Sequence, residues 1–219
     1  MNSRNAMNRR NLNSLMGTLL GLAMLAAAPL VRAAADEAPD ALIKRISVDV
    51  LDNIKADKAV QAGDVSRVIS LVDTKIMPNV DFTRMTASAV GRNWRQATPE
   101  QQKRLQEEFK TLLIRTYSGA LAQVKDQSIN VKPMRGVAPT DTEVVVRTEV
   151  VGSGDPVQLD YRMQKSPSGW KIYDLNVLGV WLVETYRTQF AQEINAKGVD
   201  GLIASLAQRN KTNVAAKKS

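Results

Sequence analysis

Two hydrophobic periods divide the chain. From Leu42 to Val124 apolar residues recur every three or four positions, from Gln127 to Val177 they alternate, and beyond Trp181 the helical spacing returns. Residues 40–56 carry Leu42, Ile43, Ile46, Val50 and Ile54 near helical spacing, which predicts a first helix. Asp64 is placed to cap a second, whose stripe of Val65, Val68, Ile69, Val72 and Ile76 is ended by Pro78. Asp81 caps a short third bearing Phe82, Met85, Ala89 and Val90. The clearest helix starts at TPEQ, residues 98–101. Thr98 is the N-cap, Gln101 completes a capping box, and Pro99 takes the first helical position, where its missing N–H costs nothing. Leu105, Phe109, Leu112, Leu113, Tyr117, Ala120, Leu121 and Val124 then form one stripe over about five turns.

The alternating part predicts four strands, 127–133, 142–151, 156–165 and 169–177. Their links RGVAPT, GSGD and SPSG are made of turn formers, and the last two are short enough for antiparallel hairpins. Trp181, Leu182, Tyr186, Phe190 and Ile194 give a further helix, and GVDGLIASL starts a last short one with Asp200 as its cap. Helices, then a sheet, then helices predict an α+β fold, an antiparallel four-stranded curved sheet with helices on one face. In VQLDYRMQ, residues 157–164, the side chains of Val157, Leu159, Tyr161 and Met163 share one face. That face is buried against the protein's own core or against a guest. In WKIYDLNVL, Trp170 and Ile172 fall on one side and Tyr173, Leu175 and Val177 on the other, so both faces are partly apolar.

The ends change the picture. The first 35 residues hold Arg4, Arg9, Arg10 and Arg32 without an acid, an apolar run from Leu15 to Ala28, and then Ala33, Ala34 and Ala35. This predicts a secretory signal peptide cleaved near Ala33 to Ala35, exported by the general route, and it is too short an apolar run for a membrane span. The mature chain reads as a single domain over 36–208 and a basic flexible tail over 209–219. The 30 basic residues include four in the leader and four in the tail, which leaves 22 against 22 acidic residues between Asp36 and Gln208. An electroneutral body lacks the footprint of a nucleic-acid binder.

The chain has no His and no Cys. Disulfides, Ser-His and Cys-His nucleophile pairs and the usual zinc and copper ligand sets are therefore excluded. Carboxylates remain as acids or bases. Asp160, on the polar side of its strand with Arg162 two residues on, reads as solvated or ion-paired, whereas Asp174 reads as a hydrogen-bonded structural carboxylate or, alternatively, as a pocket acid.

The segment from Val72 to Val124, followed by GWKIYDLNVLGVWLVETYRTQF and KGVDGLIASL, resembles the MlaC family, also called toluene-tolerance or ABC-transporter auxiliary proteins. The order and spacing carry the resemblance: the ATPEQ helix, a meander, W-x-x-Y-D, G-V-x-x-V-x-x-Y-R and G-x-D-G-L. It implies a monomeric periplasmic phospholipid carrier without catalytic residues, metal or cofactor, its bound phospholipid being cargo. Its partners would be an inner-membrane MCE-domain protein of an ABC transporter and an outer-membrane lipoprotein complex. The implied fold is akin to the nuclear-transport-factor (NTF2-like) cone, holding acyl chains inside. Mapped by pattern, the lipid-binding residues are Phe109, Leu112, Leu113, Tyr117 and Leu121 on the helix, and Val144, Val146, Leu159, Tyr161 and Met163 on the sheet. Tyr173, Leu175, Val177, Val180, Trp181 and Leu182 complete the set at the far end. Trp181 stands where the family usually has a small polar residue, and it is expected to narrow the cavity or form its lip. Met85, Met134 and Met163 are expected as adjustable wall residues. The alternative is a cone-fold enzyme that acts on a small apolar substrate through Asp174 or Asp160.

Overall fold

A computed structural model describes residues 37–215. The signal peptide expected over residues 1–35 lies outside them, as do Lys217 and Lys218 of the expected tail. α1 (Pro39–Ala56) buries Leu42, Ile43, Ile46 and Ile54, the positions its periodicity selects. Asp57 caps the single turn α2 (Lys58–Gln61), and Asp64 caps α3 (Val65–Leu71) by accepting from the N–H groups of Ser66 and Arg67. The second predicted helix does not stay α-helical up to Pro78. It passes into a π-helical turn, Val72–Ile76, and a 3₁₀ turn, Met77–Asn79. Pro78 lacks an N–H and crowds the carbonyl one turn back, while the Thr74 hydroxyl donates to the Ser70 carbonyl at 2.7 Å; both loosen the regular ladder.

Asp81 caps α4 (Phe82–Val90), and both bonds of the Thr98–Gln101 capping box start α5 (Pro99–Leu121). The sheet is open and antiparallel, in the order β1 (Ser128–Val131), β2 (Glu143–Val151), β3 (Val157–Ser166), β4 (Gly169–Val177), β5 (Val180–Trp181). Sequence periodicity predicts four of these five strands; β5 has two residues, too few to show a period. In register, Val144, Val146, Thr148 and Val150 of β2 oppose Met163, Tyr161, Leu159 and Val157 of β3, which makes one largely apolar face. A bulge on β4 shifts the phase. Arg162 opposes Asp174 while Met163 opposes Ile172, so Tyr173 is the extra residue and Ile172 and Leu175 share the apolar face. This resolves the mixed faces of WKIYDLNVL.

α6 (Leu182–Ala215) consists of two helical stretches joined at Gly198, whose φ of 71° lies in the left-handed region. Three residues on, a Cβ added to Gly201 would come 2.2 Å from the Lys197 Cβ. The glycines of KGVDGL therefore set the kink, and Asp200 is not the cap that the sequence predicts; its carboxylate accepts from the Gln101 side-chain amide at 2.9 Å. The helix continues to Ala215, so residues 209–215 are helical rather than tail. Asn210 is buried there and donates to the Glu108 carbonyl and carboxylate at 3.0 and 2.7 Å.

Among the described residues, most buried apolar side chains fall into three clusters. The largest joins α4, α5 and both stretches of α6 around Phe109, whose ring meets Tyr186 at 4.9 Å, Phe190 at 5.1 Å and Phe82 at 5.7 Å between centroids. A second seats Leu42, Ile43 and Ile46 of α1 on Val146, Tyr161, Met163, Trp170 and Ile172 of the sheet. The third ties α1, α2 and α3 to Ile114 of α5 and to Val124 beyond its end. Phe109 is the common neighbour of three aromatic rings and has no exposure. We expect Phe109→Ala to lower the unfolding free energy by about 3–5 kcal/mol in a urea titration. A loss below about 1 kcal/mol would show that this cluster does not organise the helices.

Candidate functional site

The apolar sheet face runs out of cover along its strands. Val146 and Met163 are completely buried beneath α1 and Tyr161 nearly so, whereas Leu159, Leu175 and Val177 are half-buried. Furthest along, Val157 and Val180 are 37% and 52% exposed. From the other side the α4–α5–α6 cluster reaches the same face, with Leu113 and Tyr117 of α5 and Leu175 and Val177 of β4 packed against it. Leu159 packs against the α1 cluster, and Leu175 touches both. We call the boundary between the two covers the seam: there Leu113 and Tyr117 of α5 and Leu159, Leu175 and Val177 of the sheet are packed against one cluster or the other but only half-buried. The core thus consists of clusters bridged by Val80 and Leu175, with half-buried apolar side chains where the two covers approach each other.

The walls of the seam are almost wholly apolar. Beside them on the sheet lies the Tyr161 hydroxyl, set between Ser47 of α1 and Thr148 of β2; burial pushes its pKa up to about 12, against the two hydroxyl contacts that lower it. Tyr161 is thus a neutral donor.

Not all sequence-selected residues meet there. Phe109, Leu112 and Leu182 are buried in the helical cluster, and Val146 and Met163 under α1. Leu121 joins the third cluster. Val144, with Met134 and Val137, borders an open cleft of about 420 Å³ flanked by Arg135, Asp141 and Arg147. A cleft of about 630 Å³ beside α1, α2 and α3 is lined by polar groups such as Asp57, Lys58, Arg67 and Lys75 and holds none of the selected residues. Tyr173 and Trp181 stand on the polar face. The bulge turns Tyr173 toward Arg84, whose guanidinium stacks 3.7 Å from the ring centroid, and its hydroxyl donates to Glu143 at 3.0 Å. Trp181 opposes Asn176 and lies under the Arg162 guanidinium at 3.9 Å, away from the cavity wall expected of it. Val157 was visible in the alternation of VQLDYRMQ. Val50, which packs against both clusters of α1, was visible in its helical stripe.

Residues 44–208 match the sequence model of the family described as MlaC protein. The chain belongs to the MlaC family. Among curated members it is similar to the toluene tolerance protein Ttg2D of Pseudomonas putida, 29% identical over 82% of this chain and 83% of that one. It is 22% identical to the intermembrane phospholipid transport system binding protein MlaC of Haemophilus influenzae, over 80% and 84%. A solved structure of a phospholipid-binding protein from Ralstonia solanacearum, in complex with a phospholipid, is 50% identical and superimposes with a TM-score of 0.79, covering 81% of this chain and 99% of that one.

In this MlaC-family chain the two carboxylates considered for chemistry are committed to holding backbone. Asp174 is fully buried; its carboxylate accepts from the N–H groups of Leu175 at 2.8 Å and Val183 at 3.0 Å and from the Arg162 guanidinium at 2.9 Å. Val183 lies in the first turn of α6, so Asp174 ties β4 to the start of that helix. Desolvation raises its pKa above the usual value, opposed by those donors. Asp160 is neither solvated nor in an ion pair among the described residues. It is 4% exposed and accepts from the Thr148 N–H at 3.3 Å and the Gln158 amide at 2.7 Å. Arg162 pairs with Asp174 and Glu184 instead.

Removing Arg162 leaves a buried carboxylate short of its cationic partner, and Arg162→Met is expected to cost about 1–3 kcal/mol at pH 7. A carboxylate whose folded pKa is raised loses stability as pH climbs from the unfolded value through the folded one. The deficit should therefore shrink as the medium is acidified toward pH ~4. Urea titrations of both proteins between these pH values check it; a deficit that grows on acidification would contradict this role.

Proposed function

We propose that this protein is a phospholipid carrier whose acyl-chain site is the seam between the helical cluster and the apolar sheet face. The observation that supports it best is the apolar face itself, which has no protein cover of its own over Leu159, Leu175 and Val177 beyond half-buried contacts. Burial of apolar area at ~25 cal/mol per Å² holds two acyl chains without directed polar contacts, and a carrier needs no catalyst. An empty site of that size would be costly, so closure by soft, half-buried side chains is the expected unloaded state. Met85 is buried in the helical cluster and Met163 on the sheet under α1, so both would have to move for the site to open.

The same reading places the protein in the periplasm after removal of residues 1–35. As a monomer it shuttles phospholipid between an inner-membrane ABC transporter complex with an MCE-domain protein and an outer-membrane lipoprotein complex, and so maintains the lipid asymmetry of the outer membrane. The name of the Haemophilus relative and the phospholipid in the Ralstonia structure support this. Nothing about Asp160 or Asp174 favours the enzyme alternative, since both carboxylates accept from backbone N–H groups and side-chain donors.

Leu113 and Leu159 are half-buried, so a charge can be placed at either without an obligatory loss of fold. Leu113→Glu and Leu159→Glu are each expected to lower copurifying phospholipid about tenfold or more, the equivalent of ~1.4 kcal/mol or above, with the far-ultraviolet circular dichroism unchanged. Folded variants with wild-type lipid content would refute the site.

A further inference from the structure

Beyond the seam, the β4–β5 turn departs from what such turns favour. Val177 opposes Val180, so the loop is the pair Leu178–Gly179. Both have left-handed backbone, with φ of 52° and 87°. Positive φ at both central positions is the requirement of a type I′ hairpin, for which Asn-Gly is preferred and a bulky aliphatic residue is strained. Leu178 is also the most exposed large apolar side chain among the described residues, at 65%. Neither backbone geometry nor burial gives a reason for leucine here. Its N–H donates to the Gln158 carbonyl at 3.0 Å, and the Gly179 N–H donates to the Asn176 side chain at 2.8 Å, so the turn is held firmly at the end of β3.

Position supplies the reason. Leu159, Val177 and Val180 form a row across β3, β4 and β5 on the apolar face, half-buried in the first two and exposed in the last. Exposed Val157 flanks the row two residues along β3. Leu178 lies in the two-residue turn that joins Val177 to Val180, directly beside the exposed end of this row. We propose that Leu178 is the threshold of the seam, the apolar step over which phospholipid acyl chains enter and leave, and that its unfavourable backbone is retained for that exchange. The proposal rests on the carrier reading and adds to it the location of the mouth and a residue that governs rate rather than capacity.

The test uses protein purified from the cell envelope and the transfer of a pyrene-labelled phosphatidylethanolamine from phosphatidylcholine vesicles. Leu178→Asn suits the turn and removes the apolar step. Its Tm should rise by about 2–4 °C while transfer slows about tenfold and the amount bound at saturation stays the same. Leu178→Met, which keeps an apolar side chain, should transfer at close to the wild-type rate. Val48→Asn, at a 43% exposed site on α1, controls for general loss of surface apolarity and should leave transfer unchanged. Wild-type transfer in the Leu178→Asn protein, or equally slow transfer in Leu178→Met, overturns the threshold role while the carrier reading stands. A wild-type protein that saturates with no phospholipid at all overturns both.

Discussion

An antiparallel sheet with one apolar face has to put that face somewhere. Here the face formed by β2, β3 and β4 is shared between two helical layers, and neither buries Leu159, Leu175 or Val177 completely. α1 seals one end over Val146, Tyr161 and Met163, while the α4–α5–α6 cluster reaches Leu175 and Val177 from the other. The half-buried walls and the exposed valines at the strand ends follow from that shortage of cover. In an ordinary core it would be a defect, because half-buried apolar surface forfeits both burial and packing. In a carrier it is the surface that cargo completes.

The opposite face is held by polar contacts. Arg84 of α4 reaches Gln164 and Glu143 and stacks on Tyr173; Arg162 of β3 stacks on Trp181 and pairs with Asp174 and Glu184. These two assemblies stitch α4 and α6 to the sheet by directional polar contacts. The Asp174 carboxylate, buried and saturated with donors, fixes where α6 begins. Directional contacts are thus concentrated on the polar face, whereas those of the apolar face are largely non-directional.

How much of this was legible in the sequence depended on whether a feature announces itself locally. The Thr98–Gln101 capping box, the caps at Asp64 and Asp81 and the alternation of VQLDYRMQ are local signals, and the structure has each. The β4 bulge is not local. It is defined by its register against β3, and missing it places Tyr173 on the apolar side with Leu175. Trp181 comes to lie on the polar face for a related reason: after a two-residue turn β5 resumes its alternation, which sends Val180 to the apolar face and Trp181 to Arg162. Asp160 looked solvated because it alternates with apolar neighbours, yet the Thr148 N–H and the Gln158 side chain enclose it. The kink at Gly198 was visible as a glycine, but its neighbour Asp200 offered a better-known signal for the same boundary. Membership of the MlaC family was legible from the order of motifs, none of which is specific alone.

The central claim is that the uncovered apolar face exists to hold phospholipid. Native mass spectrometry of the protein purified from cell envelopes without detergent, with organic extraction of any adduct, tests it most directly. A stoichiometric phospholipid adduct, identified by extraction, is the expected result. A clean unliganded mass, persisting after incubation with phospholipid vesicles, would contradict it.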